Sequence, residues 1–323
     1  VKTCRLYAPF LLFAWIGVAL LSGIPGEIRA QDDSFPLPGS LIDPGVWDRP
    51  DFVAAWGSSK SPGKIAHRIW PQTPVIFGQR PHYVSGHFIG KQMDSITLLF
   101  LDSGTHFGYV AKDKAAANEK MNRESFQALH AETAEKVLRG LEKLSGSKGE
   151  AITLGQTPML KQNVILFSSG KLTARYFSIP EQLVKVTFFR DEKKARSLML
   201  YPTSKEMKRR ERAEQFHGRI HEAKNGDHLL ENIPLFPQGD RAYCGVSVLS
   251  MSMQYLGLNL DTEDYAAAAG IRYGSTKGSK IREVYKAAGE ENNMRMSRST
   301  KFDFRKAQAT LNAGLPVIVW RYW

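Results

Sequence analysis

The chain has 323 residues, 42% of them hydrophobic and 11% aromatic, so a packed core is feasible and global disorder is excluded. Its formal charge of +12 at pH 7 suits an acidic surface or polymer. The basic residues alternate with acidic ones, which argues against a nucleic-acid surface.

Residues 1–30 read as a secretory signal peptide. Lys2 and Arg5 form a positive start, Leu6 to Ile24 an apolar stretch, and Ile28-Arg29-Ala30 a cleavage-site pattern before Gln31. An uncleaved membrane anchor is the alternative, because the apolar run is long, although Pro9 and Gly17 interrupt it. The protein is therefore expected to be exported. Cys4 leaves with the signal, so no intrachain disulfide is expected and Cys244 remains as a lone thiol.

Residues 31–45 are expected to be an extended leader, and residues 46–225 an α+β accessory domain. Predicted strands fall at Thr73–Phe77, Ser95–Leu101, His106–Val110, Asn163–Phe167, Lys171–Phe177, Leu183–Arg190 and Ser197–Tyr201, which are rich in β-branched and aromatic residues. Phe126, Leu129, His130, Thr133, Val137, Leu138, Leu141 and Leu144 recur at helical spacing and predict a helix over Arg123–Leu144. Trp47, Trp56 and Trp70 read as core positions, with an aromatic polymer-binding groove as the rival. Met207–Lys224 carries mixed charges at helical spacing and reads as a solvated helix. Asn225-Gly226-Asp227 is a turn, and the domain boundary is placed there.

From residue 226 the pattern becomes helical. Helices are predicted at Cys244–Leu256, Glu263–Ala269 behind the caps Asp261 and Thr262, Lys280–Ala288 and Phe302–Ala313. Pro316–Tyr322 reads as a buried strand.

Cys244 opens the first of these helices. A thiol attacks an acyl carbon only as thiolate, and a helix N-terminus favours the anion through its partial positive charge and free amides. The attack also needs donors for the developing oxyanion. The Cys244 amide is one, and the Gln238 side chain, six residues earlier, is a second. Pro234 and Pro237 hold the approaching segment extended, and Gly245 leaves room for a substrate backbone. Tyr243 and Gly245 are the expected substrate-binding positions. A buried, inert cysteine is the alternative.

With Gln238, Cys244-Gly245, the helix ending Gln254-Tyr255-Leu256-Gly257, the helix Asp261–Gly270 and Ala313-Gly314-Leu315-Pro316-Val317-Ile318-Val319, residues 233–323 resemble the papain-like cysteine peptidases. The branch they resemble most is the bacterial peptidases that remove double-glycine leaders. The resemblance implies an α+β fold in which an accessory domain precedes the helical half and first strand of a papain-like domain. It also implies Cys244 as nucleophile and Gln238 as oxyanion donor. All eight histidines precede Cys244, so the family's histidine and its Asp or Asn partner are expected beyond residue 323.

The upstream histidines read otherwise. His217 and His221 fall at i, i+4 on the charged helix, without the intervening glutamate of a metallopeptidase. His82, His87 and His106 lie near Asp94 and Asp102 without diagnostic ligand spacing. No metal and no cofactor are expected. The expected activity is thiol-dependent hydrolysis or transfer at a peptide or amide bond of a peptide or protein substrate. The alternative is a catalytically inactive papain-like binding module acting at the cell envelope.

Overall fold

The longest strand forms where the chain is most apolar. In a computed structural model, β3 (Gln92–Asp102) presents Ile96, Leu98 and Phe100 to one side and Ser95, Thr97 and Leu99 to the other, all buried. The structure describes residues 39–57, 65–70, 73–108, 112–200, 216, 220–236, 238, 241–271 and 280–320, without the side chains of 65–67 and 112–122. The expected signal peptide lies outside these residues. Among the described residues no helix is long and apolar enough to cross a membrane.

β3 is the third strand of a seven-stranded antiparallel sheet. With β1 (Ile65–Ile69), β2 (Tyr83–Ile89), β4 (Glu150–Leu154), β5 (Gln162–Ser168), β6 (Thr173–Ile179) and β7 (Leu183–Phe189), the order is β1-β2-β3-β7-β6-β5-β4. The fold is thus mixed α+β. Helix α1 (Pro50–Ala55) precedes the sheet, and the short α2 (Ser103–Phe107) follows β3 directly.

The long α3 (Lys112–Ser145) joins β3 to β4 and packs on the sheet. It buries Phe126, His130, Thr133, Val137 and Leu141, a stripe at three- and four-residue spacing. Trp47, Trp56 and Trp70 are buried with Phe52 and Phe88, and the rings of Trp56 and Trp70 meet edge-on at 4.8 Å.

The opposite face of the sheet is covered by helices α5 (Cys244–Tyr255), α6 (Thr262–Ala268) and α7 (Ile281–Glu291). Between them lie α4 (Glu192–Ala195) and a hairpin of β8 (Ile220–Glu222) and β9 (His228–Leu230); α8 (Phe304–Asn312) follows. One hydrophobic core joins Val164, Leu166, Phe177 and Phe189 of the sheet to Val246, Leu249, Met253, Tyr265 and Val284 of the helices. The contact therefore runs across residue 225, and Pro36–Trp323 gathers into one compact unit.

Nearer the middle of the sheet the same face is polar. Ser85, His87, Ser95, Thr97, Arg175, Lys185 and Thr187 are all buried there. Lys185 Nζ lies 2.7 Å from both carboxylate oxygens of Asp264 and 3.2 Å from Asp261 Oδ2. Burial pulls the Lys185 ammonium down, but the two carboxylates more than offset it and hold its pKa above the usual lysine range.

Six expected segments differ over their described parts. Thr73–Phe77 is not a strand: Ile76 and Gln79 close a tight turn whose central residues, Phe77 and Gly78, both have positive φ. Over its described part, residues 106–108, His106–Val110 is not a strand: Asp102 accepts from Thr105 N–H and starts the helical turn of α2. Ser197–Tyr201 makes one bridge, Met199 to Leu258, while Leu200 N–H donates to the Gly257 carbonyl. These bonds tie it to the loop after α5 rather than to the sheet.

Of the helix expected over Met207–Lys224, most lies outside the described residues, and its end, Ile220–Glu222, is strand β8. The Asn225-Gly226-Asp227 turn folds it onto β9, with Gly226 at φ 82°. Pro316–Tyr322 is not a buried strand over its described part. No strand pairs with residues 316–320, and Val319 and Trp320 are 64% and 56% exposed. Gly39–Ile42 forms a 3-10 turn with Leu41 buried, so this part of the expected leader is not extended.

Candidate functional site around Cys244

Helix α5 starts at Cys244 because the residue before it is anchored. Tyr243 is 1% exposed and occupies the N-cap, and its carbonyl accepts from Ser247 N–H at 2.8 Å. The Tyr243 ring rests against Gly104, where a Cβ would lie only 2.3 Å from ring atoms. With Tyr243 turned inward and Val246, Leu249 and Met253 buried, Cys244 is left exposed at the first turn. Tyr243 makes no side-chain cap bond, so the first-turn amides are not capped by it.

Gln238 sits in the loop that leads to this turn. Its side-chain amide donates to the Arg241 carbonyl, and Arg241 Nε donates back to the Gln238 carbonyl at 2.6 Å. The loop is thus locked by Arg241. The second N–H of the Gln238 amide is a further donor.

Arg241 itself is buried. Its Nη1 pairs with Glu263 of α6 and lies 3.8 Å from Asp102 Oδ2 at the end of β3. Asp102 accepts from the Tyr243 hydroxyl at 3.0 Å and from both Thr105 N–H and Thr105 Oγ1 at 2.8 Å. Glu263 also accepts from the Tyr83 hydroxyl.

Burial and the nearby Glu263 charge push the Asp102 carboxyl up to about 6, against the opposing pull of Arg241. Burial, then Glu263 and Asp261, raise the Tyr83 phenol, and burial, then Asp102 and Glu263, raise the Tyr243 phenol, so both act as donors. His82 is lowered to about 4, first by burial and then by His106 and Arg241, and stays neutral at pH 7.

The other side of Cys244 is aromatic. Tyr285 of α7 donates to the Gly245 carbonyl at 2.8 Å, and its ring lies 5.7 Å from Trp320. A Cβ on Gly245 would come within 2.7 Å of Ile281 and 2.8 Å of Trp320. Gly245 is therefore needed for the close approach of these two side chains. Burial, then the neighbouring Cys244, raises the Tyr285 phenol.

Of the expected site residues, Gln238 and Cys244 share one braced loop. Gly245 is covered by Ile281 and Trp320 rather than open to a substrate backbone. Tyr243, expected to face substrate, is buried as an anchor instead. Glu263, Arg241, Tyr83, Tyr285 and Trp320 are site residues that the sequence does not single out, and Asp102 figures there only as a neighbour of the upstream histidines. Asp102 carries one local signal, a helix-cap pattern with Thr105 three residues on.

The upstream histidines are dispersed. His87 faces Asp94 at 3.5 Å, and Lys194 pairs with the same carboxylate. His106 packs on the rings of Phe107 and Phe126, while His130 bonds to the Leu183 carbonyl and Ser178 on the α3 face. His217 lies outside the described residues. His221 is on β8 rather than a helix. Among the described residues no group of three metal-capable side chains gathers.

Comparison with protein-family models, curated proteins and solved structures found no match.

Proposed function

We propose that this chain carries a papain-like thiol site, in which Cys244 attacks the carbonyl carbon of a peptide or related amide bond. The Cys244 amide and the second Gln238 N–H would stabilise the oxyanion, and a histidine would take the thiol proton as general base. The observation that carries this reading is the exposed thiol on the first residue of α5, six residues after a glutamine in the same Arg241-braced loop. A peptide or protein outside the cytoplasm, at an acidic envelope surface, is the substrate setting that the leader sequence and the +12 charge support.

Alkylation with iodoacetamide at pH 6 tests the thiol. Cys244 should react faster than a free-thiol reference, and Cys244→Ala should lose that fast labelling, leaving at most Cys4, and all turnover while remaining folded. Labelling no faster than the reference removes the activated thiol from the reading.

The second reading is a papain-like binding module without catalysis. It is favoured by the Gln238 amide already donating one N–H to the Arg241 carbonyl. It predicts that Cys244→Ala leaves peptide binding unchanged.

A further inference from the structure

We infer that the antiparallel sheet is part of the thiol site: Asp102, at the end of β3, is a positioning residue that acts through Tyr243 and Arg241 on the loop carrying Gln238 and Cys244. The inference rests on the thiol reading above and extends it to the first half of the chain.

Two arms leave one carboxylate. Asp102 Oδ1 accepts from the Tyr243 hydroxyl at 3.0 Å, and Tyr243 is the residue immediately before Cys244. Asp102 Oδ2 faces Arg241 Nη1 at 3.8 Å, and Arg241 Nε holds the Gln238 carbonyl at 2.6 Å. The two residues proposed to carry the chemistry are therefore held from the same anchor. The anchor is itself fixed, since Oδ2 takes both the amide and the hydroxyl of Thr105. Glu263 of α6, which also accepts from the Tyr83 hydroxyl of β2, pairs with the same Arg241 Nη1.

The arrangement is costly if its only task is stability. A buried cluster of two carboxylates and one guanidinium loses hydration that an apolar cluster of equal volume would not. What it supplies is direction. The Tyr243 ring is confined by Gly104 and its hydroxyl is tied to Asp102, so the ring has a single seat and Cys244 a single exit angle. Arg241 binds Gln238 to that same frame. A cysteine facing a carbonyl carbon needs such fixed geometry, because small misplacements lower the rate steeply.

The test uses the full chain and iodoacetamide, with alkylation of Cys244 followed at pH 6 and pH 9. Tyr243→Phe removes the bond to Asp102, Asp102→Asn removes the negative charge that faces Arg241, and both keep shape. Both should slow alkylation of Cys244 about fivefold at pH 6 and leave it near wild type at pH 9. Glu291→Gln is the control: Glu291 is buried and holds the Gln156 and Thr157 amides, away from the loop. It should lower stability and leave the pH 6 rate unchanged.

A fast wild type with both variants equally fast overturns the positioning role alone. Equal slowing at pH 6 and pH 9, or slowing in the control, reduces the cluster to a structural brace and also overturns it. A wild type no faster than a free thiol overturns the thiol reading and this inference together. Should Asp102→Asn fail to fold, Tyr243→Phe decides.

Discussion

The Tyr243 hydroxyl donates to the Asp102 carboxylate at 3.0 Å, across 141 residues of sequence. One partner ends β3, and the other occupies the N-cap position of the helix that begins with Cys244. The contact makes the sheet a wall of the thiol loop, and the surrounding residues should respond to substitution accordingly.

Gly104→Ala should destabilise the protein by about 1–3 kcal/mol, because its Cβ would lie 2.3 Å from the Tyr243 ring and overpack a site with no slack. Urea unfolding of the variant measures the loss. A change under about 0.5 kcal/mol would mean that the ring has other room.

Lys185→Met should cost about 3–5 kcal/mol, since it leaves Asp264 and Asp261 without their buried cation. Lys185→Met combined with Asp264→Asn should be less destabilised than Lys185→Met alone, because one unpaired charge is gone. Additive losses in the double variant would show that the pair is not coupled.

Asp102 and His82 should tilt the pH dependence of stability in opposite directions. The folded-state pKa of Asp102, about 6, lies above the ordinary carboxylate value of 3.8, so the folded state binds the extra proton between them. Stability from this group is present at pH 4 and falls as pH rises through 6. His82, lowered from 6.5 to about 4, contributes stability above pH 6.5 that is lost as pH falls toward 4. Asp102→Asn should therefore steepen the loss of stability on acidification over this window, and His82→Gln should lessen it. Denaturant midpoints at pH 4, 5, 6 and 7 read both slopes; parallel profiles for the two variants would contradict the assignment.

Much of the framework was legible because it is local. The stripe from Phe126 to Leu141 shows a helix at helical period, and the runs that became β3, β5, β6 and β7 are dense in apolar and β-branched residues. The start of α5 at Cys244 and the Asp261 cap of α6 follow from local chemistry as well. β2 was harder to see: Ser85, Gly86 and His87 interrupt its centre, and the Ser85 and His87 side chains are buried on a face that Asn259 and Asp261, between α5 and α6, also line. Thr73–Phe77 and Ser197–Tyr201 look like strands by composition, but each lacks a continuous partner and is held by a turn or a single bridge.

Composition, periodicity and capping sufficed for the mixed α+β class, the long sheet-covering helix and the thiol at a helix start. Those depend on residues within a few positions of one another, where spacing alone sets which side chains share a face. Only the tertiary structure decided that Tyr243 turns inward, that Arg241 braces Gln238, and that Asp102 and Glu263 close around that arginine. These contacts join residues far apart in sequence, and nothing in the local pattern of either partner specifies which distant group will share its burial.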